Sequence, residues 1–234
     1  MRNSGRSHDA IRPVTIERGF LKSADASVLI EMGNTRVICT ATITDGVPKF
    51  LVGKGEGWLT AEYGMLPRSS PQRIMREAVR GRSGRTYEIQ RLIGRSLRAA
   101  TQLNTLGDVT VIVDCDVIEA DGGTRSASIT GGCVALYDVL VQRGYANHPM
   151  NFLTSAISVG VVGGNVMLDL DYSEDSTADV DLNVVMSENG SFIEVQGTAE
   201  GVPFSDEQLQ SMLALGRKGC DELVEAQKKA LGLT

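Results

Sequence analysis

Five consecutive residues, Asp121-Gly122-Gly123-Thr124-Arg125, bring together the groups that bind an oxyanion. Paired glycines let successive backbone N–H groups turn toward one point, and the Thr124 hydroxyl and Arg125 guanidinium add side-chain donors. A strand-like run precedes the segment and a helical pattern begins near Arg125, so the positive end of that helix faces the same point. The segment has neither the lysine of a P-loop nor a full G-x-G-x-x-G, so neither nucleotide fold is implied. An ordinary strand-to-helix turn would also use these glycines, and only further partners separate the two readings. Gly81-Arg82-Ser83-Gly84-Arg85-Thr86 repeats the design at the head of another helix, and two such turns can converge on one phosphate.

The third constellation is acidic: Asp169, Asp171, Glu174, Asp175, Asp179 and Asp181. Asn189-Gly190 predicts a two-residue hairpin, which pairs Asp181 with Thr198 and Asn183 with Gln196. Alternation then gathers Asp179, Asp181, Asn183, Gln196 and Thr198 on a polar face and turns Val180, Leu182, Val184 and Met186 to the core. Asp175 falls in the loop just before this strand. Converging carboxylates repel unless a proton or cation intervenes. Mg²⁺, hard and partnered with substrate phosphates, suits such a face. A solvent-facing hairpin with ordinary surface acids would show the same pattern, and only the phosphate turns favour the first reading.

Net charge is −6, which alone argues against a polyanionic ligand. Its distribution argues the other way. Arg68 to Arg98 holds nine arginines against Glu77 and Glu88, so the segment cannot neutralise itself. Gly144 to Gly216 holds no Lys or Arg but eleven acids. Arginine outnumbers lysine 17 to 6, and guanidinium grips phosphate through two parallel hydrogen bonds. Other chemistries find little support. His8 and His148 are isolated, and no Gly-x-Ser-x-Gly or His-Glu-x-x-His occurs. Cys39, Cys115, Cys133 and Cys220 lack zinc spacing and are expected as reduced, buried thiols. The lone Trp58 is expected to pack rather than to stack on a base.

The elements that must position these groups are legible as patterns. Val14 to Asp45 reads as a β-meander turning at Gly33-Asn34, followed by a loop from Val47 to Gly57. Leu66 to Arg85 reads as a mobile connection with a short helix. Ile89, Leu92, Ile93, Leu97 and Ala100 stripe a helix over Tyr87 to Leu103. Val109 to Ile118 is a strand and Arg125 to Arg143 a helix whose Ala127, Gly131 and Gly132 suit close packing on a sheet. Strands are expected at Thr154–Val162, Val166–Asp171, Asp179–Met186 and Ser191–Thr198, then a helix from Ser205 to Leu231 with Ser205 as N-cap and Gln208 completing a capping box. This order predicts an α+β fold, one domain over residues 1–234 with two packed β-sheet halves. No run of about 18 apolar residues predicts a membrane span, and no apolar stretch follows the arginines of Met1 to Pro13, so a cytoplasmic protein is expected.

In this order and spacing the segments resemble the ribonuclease PH family along nearly the whole chain. The resemblance rests on Arg12-Pro13-Val14, on Gly57-Trp58-Leu59-Thr60-Ala61-Glu62-Tyr63-Gly64-Met65-Leu66-Pro67-Arg68 and on Glu88-Ile89-Gln90-Arg91-Leu92-Ile93. It continues through Asp114-Cys115-Asp116-Val117, Asp121 to Arg125, Asp181-Leu182-Asn183-Val184-Val185-Met186 and Glu194-Val195-Gln196-Gly197-Thr198-Ala199-Glu200-Gly201. It implies a fold shared with a ribosomal-protein domain and a homohexamer built as a trimer of dimers. It also implies Mg²⁺ dependence and phosphorolytic removal of nucleotides after the CCA end of tRNA precursors, with inorganic phosphate as co-substrate. By position, Arg85, Gly123, Thr124 and Arg125 match the family's phosphate-binding residues, and Asp175 and Asp181 match its acidic catalytic and metal-holding pair. Arg68, Arg73 and Arg76 match arginines tied to RNA binding and ring assembly. One departure is visible: Ser83 stands where many members have glycine, and a stiffer loop is expected there. The rival reading is a non-catalytic RNA-binding ring subunit.

Overall fold

The computed structural model describes residues 2 and 5–233. In chain order the elements are β1 (Val14–Arg18), β2 (Ala26–Met32), β3 (Thr35–Asp45), β4 (Trp58–Met65), α1 (Glu77–Arg80), α2 (Gly84–Ala99), β5 (Val109–Glu119) and α3 (Thr124–Arg143). They continue with β6 (Thr154–Val162), β7 (Asn165–Leu168), α4 (Tyr172–Asp175), β8 (Val180–Ser187), β9 (Phe192–Ala199) and α5 (Asp206–Leu231). The fold is α+β, as the strand and helix pattern predicts.

The first sheet runs β1-β2-β3-β5-β4 and the second β7-β6-β8-β9. All pairs are antiparallel except β4 with β5, which α2 joins as a parallel crossover. Alternation explains the first sheet: Val109, Val111, Val113, Cys115 and Val117 are buried while the residues between them are more exposed. The same alternation at Leu59, Ala61 and Tyr63 makes β4, a strand the sequence reading did not assign. Its glycine-rich approach and the charge at Glu62 mask the period.

Helix α3 lies between the sheets and is buried on nearly every side, so its sequence shows no polar stripe. Gly131 lets the helix approach β2 closely: a Cβ there would lie 2.7 Å from Ile30 Cγ2. Helix α5 packs Gly216 against Val184 and Gly219 against Leu168 and Ile157 of the second sheet. Gln227 of α5 donates to the Thr130 and Thr154 carbonyls, each at 2.9 Å, tying α5 to α3 and β6. One apolar cluster runs through both sheets. All four cysteines are free and buried, as the reading of structural thiols expects. Among the described residues, no helix is long and apolar enough to cross a membrane.

Arg12 and Asp169 join the two sheets. Arg12 is 5% exposed and Asp169 is fully buried. Arg12 Nε and Nη2 donate to Asp169 at 2.9 and 2.7 Å, and the Arg12 peptide N–H donates to the same carboxylate at 2.7 Å. Breaking a buried pair from one side strands an uncompensated charge. Arg12→Ala should therefore destabilise the fold by about 3–5 kcal/mol, measured by denaturant unfolding. A loss under about 1 kcal/mol would show that the join is carried elsewhere.

Candidate active site

A cleft of about 590 Å³ opens where the loop after β5 meets the starts of α2, α3 and β8 and the end of α4. Arg85, Gly123, Thr124, Arg125, Asp175 and Asp181 all line it. The three constellations singled out in the sequence, separated by up to about a hundred residues, thus meet in one place.

Gly122 and Gly123 have φ of 76° and 67°, the left-handed region that glycine enters without strain. A Cβ on Gly122 would lie 2.6 Å from the Leu170 carbonyl oxygen, so the turn is pressed against the chain entering α4. Gly123 is the N-cap of α3, and Thr124 and Arg125 are its first residues. The Thr124 hydroxyl lies 2.9 Å from the hydroxyl of Tyr63, which is 5% exposed. Burial pushes the Tyr63 phenol up, with Thr124 and Arg85 opposing, so it remains a proton-bearing partner. The unfilled helix N-terminus and two guanidinium groups make an anion cradle.

The second glycine turn contributes less than its sequence suggests. Only Arg85 of this segment lines the cleft. Ser83 is the N-cap of α2, with φ of −78°, and accepts from the Thr86 N–H at 3.1 Å. It therefore works as a helix cap, in a backbone conformation that does not need glycine.

The acidic constellation divides in two. Asp169 binds Arg12 and lies 3.4 Å from Arg6. Asp171 caps α4 in a capping box with Glu174, and Glu174 binds Arg2 at 2.5 Å. These three acids are structural, because arginines from the N-terminal arm neutralise them. Asp179 is exposed and does not line the cleft. Asp175 and Asp181 are the two that face it. Helix α4 was not expected, although Asp171-x-x-Glu174 is the signature that would have found it.

The pairs Asp181 with Thr198 and Asn183 with Gln196 form as predicted. The turn itself differs. Ser187 donates its N–H to the Ser191 carbonyl, only Gly190 has positive φ, and the register shifts between Val185 and Met186. This is a three-residue loop whose extra residue the bulge absorbs, which leaves the distal pairing unchanged.

Burial pushes the Asp181 carboxyl above its ordinary value, the Asp175 charge pushes it further, and Arg125, Asn183 and Arg85 oppose. Burial likewise raises Asp175 against the pull of Arg125 and Arg85. Asn183, 7% exposed, donates to Asp181 Oδ2 at 3.2 Å. Among the described residues, no group of three or more His, Cys, Asp or Glu side chains is placed to hold a metal. Mg²⁺ binds through one or two carboxylates together with substrate phosphates, and the Asp175–Asp181 pair fits that donor set.

Arg68 lies beside the cleft, in a second depression of about 520 Å³ with Glu119 and Asp121. Arg73 and Arg76 are exposed and line neither cavity. The segment that carries them does supply a wall of the cleft through Ser70, Pro71, Gln72 and Ile74. Trp58 packs edge-on to Phe50 beneath Arg98, away from the cleft. Sequence reasoning attached no role to Tyr63, Asn183, Gln196 or Glu88, though all lie in its quoted motifs. Their roles depend on contacts between distant elements.

Clustered arginines and a helix N-terminus facing a carboxylate pair are groups suited to phosphate chemistry. The chain matches the models of the 3′ exoribonuclease family, domain 1 over residues 10–142 and domain 2 over residues 153–219, and so belongs to that family, the RNase PH family. Solved structures share its fold at low identity. Rice (Oryza sativa) Rrp46 superposes with a TM-score of 0.80 at 20% identity, covering 98% of this chain and 100% of that one. A chain of the Archaeoglobus fulgidus exosome with RNA bound to the active site gives 0.82 at 21%, covering 96% and 91%. A chain of an archaeal exosome core gives 0.78 at 20%, covering 97% and 91%.

A raised carboxylate pKa has a stability signature. The folded state binds the Asp181 proton more tightly than the unfolded state, so stability falls as pH rises from the ordinary value of 3.8 through the raised one. That loss is fully present at neutral pH. Asp181→Asn should therefore melt higher than the parent at pH 7, by roughly 2–4 °C for each kcal/mol released. The gain should narrow as the pH is lowered toward 4. Calorimetry across pH checks this, and a variant that melts lower at pH 7 would show that burial does not penalise the Asp181 charge.

Proposed function

We propose that this chain is a phosphorolytic 3′→5′ exoribonuclease that removes nucleotides after the CCA end of tRNA precursors. The observation that carries the reading is the cleft itself: Arg85, Thr124 and Arg125 share it with Asp175 and Asp181. The A. fulgidus exosome structure, of the same fold, is described with RNA in its active site, which supports RNA as the ligand class.

In this reading inorganic phosphate is held by Arg85, Thr124, Arg125 and the N–H groups at the head of α3. One of its oxygens attacks the terminal phosphodiester, the bond to the 3′-oxygen of the preceding nucleotide breaks, and a nucleoside diphosphate leaves. Attack brings two anionic phosphates together, so fixed positive charge and positioning supply much of the acceleration. The departing 3′-oxygen needs a proton, and whichever carboxyl of the Asp175–Asp181 pair is not engaged by a cation is suited to donate it, Asp181 being the more buried of the two. Mg²⁺ would be held by the Asp175–Asp181 pair and, when bound, stabilises negative charge on reacting oxygens. The reaction exchanges an ester link for an anhydride, so it runs in reverse with nucleoside diphosphates.

The family resemblance extends the proposal to a homohexameric ring, a trimer of dimers, in which Arg68, Arg73 and Arg76 serve RNA contact or assembly. Their exposed placement suits either role. Sizing the purified protein with Arg68→Ala and Arg76→Ala should show the ring dissociating. An intact ring that binds RNA as before would remove both arginines from these roles.

The direct test is product analysis on a tRNA precursor. Nucleoside diphosphates should appear only with phosphate, and Arg125→Ala should lower their release at least a hundredfold, the scale of losing a charge-stabilising group in a desolvated site. Monophosphates formed without phosphate would make the enzyme hydrolytic. RNA binding with no release under either condition would establish a non-catalytic ring subunit.

A further inference from the structure

Arg125 does not reach the cleft unaided. Its Nη1 donates to Gln196 Oε1 at 3.2 Å and lies 3.6 Å from Glu88 Oε1. Gln196 Nε2 in turn donates to the same Glu88 oxygen at 2.9 Å. The three residues come from α3, β9 and α2, so the triangle closes only in the folded protein. Glu88 stands three residues after Arg85, on the same face of α2.

The amide suits this place. Its oxygen takes the arginine and its nitrogen takes the carboxylate, so both ends are satisfied and its orientation is fixed. Because it is neutral, it holds the guanidinium without adding to the negative charge that Glu88 already places 3.6 Å away. Directly across the strand pair lies Asn183, the amide that donates to Asp181. Two paired amides thus hold the two opposed charges of the cleft, Gln196 on the cationic side and Asn183 on the acidic side.

We infer that Gln196 is a positioning residue that sets the affinity for phosphate by holding Arg125 toward the cleft, with Glu88 fixing which end of the amide Arg125 meets. The inference rests on the phosphorolytic reading above. It predicts an order of variants that shape alone would reverse. Gln196→Ala frees a long side chain to sample other rotamers. Gln196→Glu keeps the shape but gives Arg125 a carboxylate that competes with the anion.

The experiment is phosphate saturation kinetics on a short RNA with a free 3′ end, at fixed Mg²⁺, with melting temperature followed for each variant. Gln196→Ala should raise KM for phosphate about tenfold and Gln196→Glu further still, with KM for RNA changed less than twofold. Glu88→Gln keeps an oxygen for the Gln196 amide and should stay within about threefold of the parent. An unchanged phosphate KM in an active parent background would overturn the inference alone. So would an isosteric Gln196→Glu that is milder than alanine, or equal rises in KM for RNA and phosphate, since each is the mark of a structural role. If either substitution abolished folding, the positioning role would likewise fall. A parent enzyme that releases no nucleoside diphosphate at any phosphate concentration would instead sink the phosphorolytic reading, and the inference with it.

Discussion

A buried ion pair makes the cleft possible. Asp169 sits fully buried with φ of +54°, a left-handed conformation uncommon outside glycine that Asp and Asn adopt more readily than other residues. That backbone aims its carboxylate at Arg12, which reaches on to donate to the Asp121 carbonyl. The loop after β5 and the loop before α4 are therefore clamped together by one guanidinium. Gly33 makes room for its stem, since a Cβ there would lie 2.6 Å from Arg12 Cδ. Gly122 completes the join, because only a residue without a side chain fits against the Leu170 carbonyl. The strain and desolvation of such a pair add little to net stability. What it fixes is geometry: the phosphate turn and the helix bearing Asp175 cannot drift apart while it holds.

Around that clamp the charges are sorted by sign. Arg85 and Arg125 stand at the heads of α2 and α3, where the helix termini add positive potential. Asp175 ends α4 and Asp181 lies near the start of β8; burial works against the ionisation of both, and the Asp175 charge works further against that of Asp181. A site tuned only for stability would pair these groups directly. Here the hydrogen-bond partners of Arg125 and Asp181 include the side-chain amides of Gln196 and Asn183, and the Glu88 carboxylate stands farther from Arg125, at 3.6 Å. The potential left on each side is what a phosphate and a cation would relieve. Departures from local stability rules concentrate at sites of function for this reason.

The sequence carried the longer helices, most strands and most of the residues proposed for the site through local signatures: period, glycine pair, cap or hairpin turn. It did not carry the sorting of the acids. Asp169 and Asp181 look alike in the chain, and what separates them is Arg12, 157 residues away from Asp169. The same holds for Gln196, whose partners are Arg125 and Glu88, and for Tyr63, which meets Thr124 across the first sheet. Strand β4 hid because its inward alternation is interrupted on the outward face by Glu62 and Gly64. The hairpin register survived a wrong turn type only because the bulge at Val185 and Met186 offsets the extra loop residue.

Fold and chemistry are separable in this architecture. The apolar cluster that joins both sheets is built from strand and helix interiors. The cleft residues stand at element ends: Arg85, Thr124 and Arg125 in first turns, Asp175 in a last one, Asp181 second in its strand. Structures at about 20% identity keep the frame with TM-scores near 0.8, which shows that the core tolerates extensive replacement. Nothing in that tolerance requires the element ends to be kept. Loss of Arg125 or Asp181 would leave the sheets, α3 and the Arg12–Asp169 clamp in place, so a member of this fold could stop doing chemistry without ceasing to fold. Function must therefore be argued here from the side chains in the cleft, and in this chain those side chains are present and oriented.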